Sequence, residues 1–159
     1  MALRLPVFRL QLLRDFSIPL PEPTIHTPNQ AACVFQRLLQ GADREQFAVL
    51  AVNTKRRPLG LHIAATGRLN LVNVDLAAVF RFAIAINGDA LFVAHNHPSG
   101  DSTPSAADHT LTQQLQAAGG LIDIPVLDHL ILGDTTWYSL CFSDQGPLPE
   151  LSPNQAAEP

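Results

Sequence analysis

The sequence predicts a mixed α/β domain, a curved and mainly antiparallel sheet with helices packed on it. Three observations carry that prediction. Apolar runs at Glu45–Val52, Leu59–Ala65 and Ala90–Ala94 have strand length, and the turn-rich stretch Asn53-Thr54-Lys55-Arg56-Arg57-Pro58 would join the first two as a hairpin. Helical periodicity falls between and after these runs, near residues 29–40, 75–87 and 105–118. The 159 residues, 47% hydrophobic and 15% charged, suffice for one sizeable apolar core.

Residues 1–28 form a Pro-rich lead-in in which Val7-Phe8-Arg9-Leu10-Gln11-Leu12 alternates well enough for one strand. Thr27-Pro28 opens the first helix, which buries Val34, Phe35, Leu38 and Leu39 and closes at Gly41. The hairpin tip Lys55-Arg56-Arg57 suits solvent; contact with phosphate is the sharper alternative. Leu76–Ile86 is apolar on almost every side apart from Arg81, which predicts a buried helix over the sheet, ending at Asn87-Gly88. Gly119-Gly120 is expected to end the next helix. Ile122–Leu127 and Leu130–Leu132 are strand-like, Thr136–Phe142 adds a last strand, and prolines mark residues 146–159 as a disordered tail, leaving 29–145 as the domain.

Composition excludes several classes. Ten Lys and Arg against 14 Asp and Glu give a net charge of -4, which argues against a general nucleic-acid binder, since phosphate recognition relies on a basic stripe. Cys33 and Cys141 are the only cysteines, too few for a disulfide framework or a cysteine-rich zinc site, and they read as reduced core thiols. Arg9 and Arg14 interrupt the N-terminal apolar residues, so no signal-peptide core forms, and no apolar run is long enough to span a bilayer. A cytoplasmic location without membrane attachment is expected.

The chemistry centres on residues 94–108. A strand ends in His95 and His97, which two-residue spacing directs to one side. Pro98 and Gly100 then turn the chain, and Thr103, Pro104 and Ser105 supply a helix start. In that helix Asp108, Leu111, Leu115 and Ala118 share a face, so Asp108 lies on the apolar side, where a carboxylate needs a partner. Two imidazoles and one carboxylate are normal zinc ligands that leave a position for water. A metal-free hydrogen-bonded cluster is the alternative. A hydrolase would also need a base, and Glu45 is the only glutamate outside the Pro-rich flanks; spacing alone does not show that it reaches the metal. His109 is expected beside the site or in solvent, and His129, next to Asp128, reads as a structural hydrogen-bonder rather than a ligand.

His95-x-His97 followed by Asp108, with Ser105 three residues before it, resembles the JAMM signature of the JAB/MPN metalloprotease fold, whose architecture is cytidine-deaminase-like. His95-Asn96-His97-Pro98-Ser99-Gly100, Thr103-Pro104-Ser105, Leu111-Thr112 and Asp128-His129-Leu130-Ile131-Leu132-Gly133 narrow the resemblance to the RadC-like branch, over about residues 30–142. It implies that His95, His97 and Asp108 bind one Zn2+. It further implies that Glu45 is the general base and that Ser105 hydrogen-bonds the attacking water or the developing oxyanion. Ser105 also suits a helix cap, and the two roles are compatible. The reaction implied is amide hydrolysis in a peptide or isopeptide, with a peptide or protein substrate and oligomerisation left open. An inactive MPN-type scaffold and a DNA-associated accessory protein are the alternatives.

Two departures bear on the transfer. Where the branch usually has Pro-Arg-Glu before the helix ahead of the site, this chain has Asp75-Leu76-Ala77, and the helix-hairpin-helix region often found ahead of the domain has no counterpart here. Neighbouring families fit worse. Zinc deaminases need His-x-Glu with paired cysteines, whereas Asn96-His97 follows His95. In the nuclease class known by the letters His-Asn-His, those residues are dispersed rather than contiguous.

Overall fold

The computed structural model describes residues 3–67 and 74–151. Its elements run α1 (Pro28–Leu39), β1 (Gln46–Val52), β2 (Pro58–Thr66), α2 (Leu76–Ala85), β3 (Ala90–Asn96), α3 (Ala106–Leu121), β4 (Val126–Leu132), β5 (Thr136–Ser139) and β6 (Asp144–Pro147). The strands make one sheet in the order β2-β1-β3-β4-β5-β6, in which β3 and β4 pair in parallel and all other neighbours are antiparallel. The expected mixed α/β fold with a mainly antiparallel sheet is therefore present.

Period-two alternation divides the core between the two faces. Ala48, Leu50 and Val52 of β1 and Phe92 and Ala94 of β3 pack with Val34, Phe35 and Leu39 of α1. Phe47, Val49 and Ala51 of β1 and Leu91 and Val93 of β3 pack with Val79, Phe80 and Ala83 of α2 and Leu111 and Leu115 of α3. Because β1 and β3 are covered on both faces, their sequences are unbroken apolar runs rather than alternating ones.

A parallel pair needs a crossover, and α3 supplies it between β3 and β4. That connection brings the end of β3 and the first turn of α3 to the same edge of the sheet, where His95 and Asp108 lie. Gly100 and Gly133 hold the intervening loop down: Asp134 N–H donates to the Gly100 carbonyl at 3.0 Å, and a Cβ on Gly133 would run into that same carbonyl. The His97 amide is fixed to the Leu132 carbonyl at 2.9 Å.

Several boundaries differ from expectation. Residues 7–12 form no strand, and Val7 and Phe8 are exposed, since alternation alone does not supply a sheet edge to pair with. Gly119 does not end α3, which continues to Leu121; a Cβ there would sit 2.5 Å from the Ile124 carbonyl, so this glycine serves a close approach. The chain turns instead at Asp123, whose φ is 56°. The expected stretches Ile122–Leu127 and Leu130–Leu132 give one strand that begins only at Val126 and runs unbroken through Asp128-His129, because Asp128 turns its carboxylate back onto backbone and His129 reaches the site. The last predicted strand, Thr136–Phe142, stops at Ser139 as β5, and an edge strand that was not expected, β6, follows at Asp144–Pro147, its last two residues lying where the tail was expected to begin, while 152–159 lie outside the described residues. Leu148 also packs against the core, and α2 is buried only through Val79, Phe80 and Ala83, with Ile84 60% exposed.

Candidate metal centre

His95 lies on the face that β3 presents to α3, buried, one register position beyond Val93 on that face. Phe47, its partner across β1–β3, stacks on the imidazole with centroids 6.2 Å apart and meets His129 edge-on at 5.5 Å. A buried phenyl ring thus limits how either imidazole can turn. His97 follows just beyond β3 and is half-buried; its Nδ1 lies 2.7 Å from the Asp101 carbonyl oxygen. A carbonyl only accepts, so the ring proton sits on Nδ1 and the Nε2 lone pair faces the site.

Asp108 is placed by the start of α3. Ser105 is its N-cap, with its hydroxyl accepting from Asp108 N–H at 3.2 Å. In return Asp108 Oδ2 accepts from Ser105 N–H and from its hydroxyl, both at 2.7 Å, closing a reciprocal capping box in which Asp stands where Glu is more usual. The remaining oxygen, Oδ1, lies 3.1 Å from His95 Nε2, and Oδ2 is 3.7 Å from His97 Nε2. The two Nε2 atoms are 3.0 Å apart. Ligands about 2.0–2.1 Å from a tetrahedral ion are about 3.3 Å from one another, close to these separations. Burial works to raise the Asp108 pKa, but the hydrogen bond and charge that His95 supplies in its imidazolium form, with the two Ser105 bonds, outweigh it and hold the carboxyl far below the ordinary range.

Glu45, half-buried just before β1, offers a carboxylate oxygen within 4.8 Å of ligand atoms on His95 and His97. Its position is set by Asn96, whose side-chain carbonyl accepts from Gln46 N–H at 2.8 Å while its amide donates to the Arg44 carbonyl at 3.0 Å. One carboxamide thereby grips the backbone on both sides of Glu45. Asp43, Arg44, Glu45, Gly67 and Pro98 line a cleft of about 510 Å³ beside the site.

Behind His95, His129 is wholly buried and lies with its Nε2 2.9 Å from His95 Nδ1. Its Nδ1 is 2.7 Å from Thr112 Oγ, which donates to the Asp108 carbonyl at 2.7 Å. Burial, followed by the neighbouring imidazoles, holds His129 well below its ordinary pKa despite the opposing charge of Asp108. His109 is exposed.

All five positions named from the sequence come together here, four by direct proximity and Ser105 through Asp108. The chain pattern assigns no role to Asn96 or Thr112, although both lie within the motifs that carry the resemblance. Thr112 was accessible in principle, since it falls one helical turn after Asp108; Asn96 carried no signal beyond standing between the two histidines.

Two histidines from the end of a sheet strand and an acid from the following helix, on a mainly antiparallel sheet flanked by helices, define a JAB/MPN-class domain. A family model described as RadC-like JAB domain matches residues 25–146. The chain belongs to that RadC-like family. It is 43% identical over 119 residues to a UPF0758 protein of Desulforudis audaxviator, covering 75% of this chain and 52% of the relative. It is also 42% identical over 124 residues to one of Thermosynechococcus vestitus, covering 78% and 50%, and 39% identical over 125 residues to one of Janthinobacterium sp., covering 79% and 55%. The chain thus spans about half the length of these curated relatives. Among the described residues no helix is long and apolar enough to cross a membrane.

Proposed function

We propose that the chain is a zinc-dependent amide hydrolase acting on peptide or isopeptide bonds, with His95, His97 and Asp108 as metal ligands. The observation that supports this most is the convergence of two imidazole nitrogens and a carboxylate within 3.0–3.7 Å, with a second carboxylate within 4.8 Å of the nitrogens. Glu45, His95 and His97 would also hold a cation between them, so the two carboxylates compete for the role of third ligand. Asp108 suits ligation better: it is buried, ionised and tied down by Ser105, with Oδ1 directed at His95. Glu45 opens onto the cleft, where a group that must gain and lose a proton belongs.

Bound Zn2+ would polarise the scissile carbonyl and lower the pKa of an attacking water to about 7. Glu45 takes the proton from that water as the oxygen bonds to the carbonyl carbon. It then delivers the proton to the departing amine as the C–N bond breaks, so no net proton is consumed by the chain. Ser105, whose hydroxyl is given to Asp108 in this state, turns it toward the carbonyl oxygen as negative charge develops there. The substrate is a peptide or protein, and reduced Cys33 and Cys141 suit a cytoplasmic setting.

The test is turnover of peptide and Lys-linked isopeptide libraries by zinc-loaded protein and its Glu45→Gln variant. New amine ends should appear with the parent and fall by at least about 100-fold in the variant, with bound zinc unchanged. Equal turnover would remove Glu45 as the base. A zinc-loaded parent that releases no new ends would leave the scaffold reading.

A further inference from the structure

We infer that Thr112 and His129 are positioning residues that fix the proton of His95 on Nδ1, so that the Nε2 lone pair faces His97 and Asp108. The two accounts of the site differ at this one proton. With the proton on Nε2, His95 would donate to Asp108 or His97 and the cluster would close on itself without a metal. With the proton on Nδ1, three acceptors face one another and the site calls for a cation.

The polarity is decided at the far end of the chain of contacts, at the Asp108 backbone carbonyl. That oxygen only accepts, so the single hydroxyl proton of Thr112, 2.7 Å away, is committed to it. Thr112 Oγ then has only lone pairs for His129 Nδ1, also at 2.7 Å, and His129 must carry its proton on Nδ1. His129 is wholly buried, and its ring nitrogens go to a hydroxyl and an imidazole, neither of which compensates a buried positive charge. The ring is therefore neutral and its Nε2 is bare. At 2.9 Å from that bare nitrogen, His95 Nδ1 is the donor. Thr112 and His129 thus transmit the direction of one carbonyl across four groups to the site, and Phe47 keeps both rings from turning out of line. The backbone that starts the relay is that of Asp108, so the helix turn carrying one proposed ligand also sets the tautomer of another.

The tautomer stands independently of any metal, whereas its use in ligation rests on the reading given under Proposed function. The experiment is imidazole nitrogen-15 shifts of zinc-stripped protein, followed by titration with Zn2+ alone. His95 and His129 should both show a protonated Nδ1 and a bare Nε2, the less common form of free histidine. Thr112→Val should release both rings to the opposite tautomer and weaken zinc binding about 10- to 100-fold, and Thr112→Ser should restore both properties. A proton on His95 Nε2 in the parent overturns the inference, as does a folded Thr112→Val variant with unchanged tautomers and zinc affinity. If Thr112→Val fails to fold, the parent's own shifts decide the matter. Correct tautomers in a parent that takes no zinc would sink the hydrolase reading and leave the relay standing; zinc binding with the opposite tautomers would do the reverse.

Discussion

His95 Nε2 and His97 Nε2 stand 3.0 Å apart, with the Asp108 carboxylate 3.1 Å from the first and 3.7 Å from the second. Groups that accept hydrogen bonds repel at such distances unless a proton or a metal lies between them. As the buffer is acidified from neutrality, protons compete for the same lone pairs, so zinc affinity should fall steeply with pH. Isothermal titration at several pH values checks this, and an affinity that does not change with pH would contradict it.

Asn96 grips the backbone on either side of Glu45. Asn96→Ala should leave zinc stoichiometry unchanged, expose the Gln46 amide to faster hydrogen exchange, and lower kcat by on the order of ten- to a hundredfold, the scale of misplacing a reacting group by about 1 Å. Paired exchange and kinetic measurements check both. Loss of zinc would instead make Asn96 part of the metal site's framework.

Ser105 joins the cap of α3 to Asp108. Ser105→Ala should lower unfolding free energy by about 1 kcal/mol through the lost cap. Zinc affinity should fall as well, because Oδ2 of Asp108 loses one of its two donors. Ser105→Thr should retain most of both, as read by urea unfolding and zinc titration.

Two buried acids act on stability with opposite sign. Burial raises the Asp128 pKa despite hydrogen bonds from Ser139, Cys141 and His129, and its second oxygen is buried with no hydrogen-bond partner among the described residues. The folded state thus takes up this proton before the unfolded state does. Stability of the zinc-stripped protein should rise as pH falls through the folded value, with the gain complete below about 3.9. Asp108, held low, contributes fully above about 3.9 and loses that contribution as pH falls through its folded value. In Asp128→Asn the first gain should vanish while the loss at lower pH remains. Urea midpoints across pH decide it.

Much of this arrangement is legible in the chain because the signals are local. Strand period places His95, helix period turns Asp108 inward, and the Pro98–Gly100 turn joins them. What escapes is set by long-range geometry. Gly119 looks like a helix stop until the Ile124 carbonyl is seen against it. Asp128-His129 looks like a break until both side chains find buried partners. Residues 144–147 hold Gly and Pro yet pair with β5, where Trp137 covers Gly146. The hold of Asn96 on Glu45 spans about fifty residues of sequence and belongs to the β1–β3 pairing alone.

Metal content bears most directly on the central claim. First-row metal analysis of the parent, with His97→Ala and Asp108→Ala beside it, should find about one zinc per parent chain and little in either variant. A parent that holds no zinc when supplied with it, or variants that hold as much as the parent, would contradict the assignment of these three side chains to one ion.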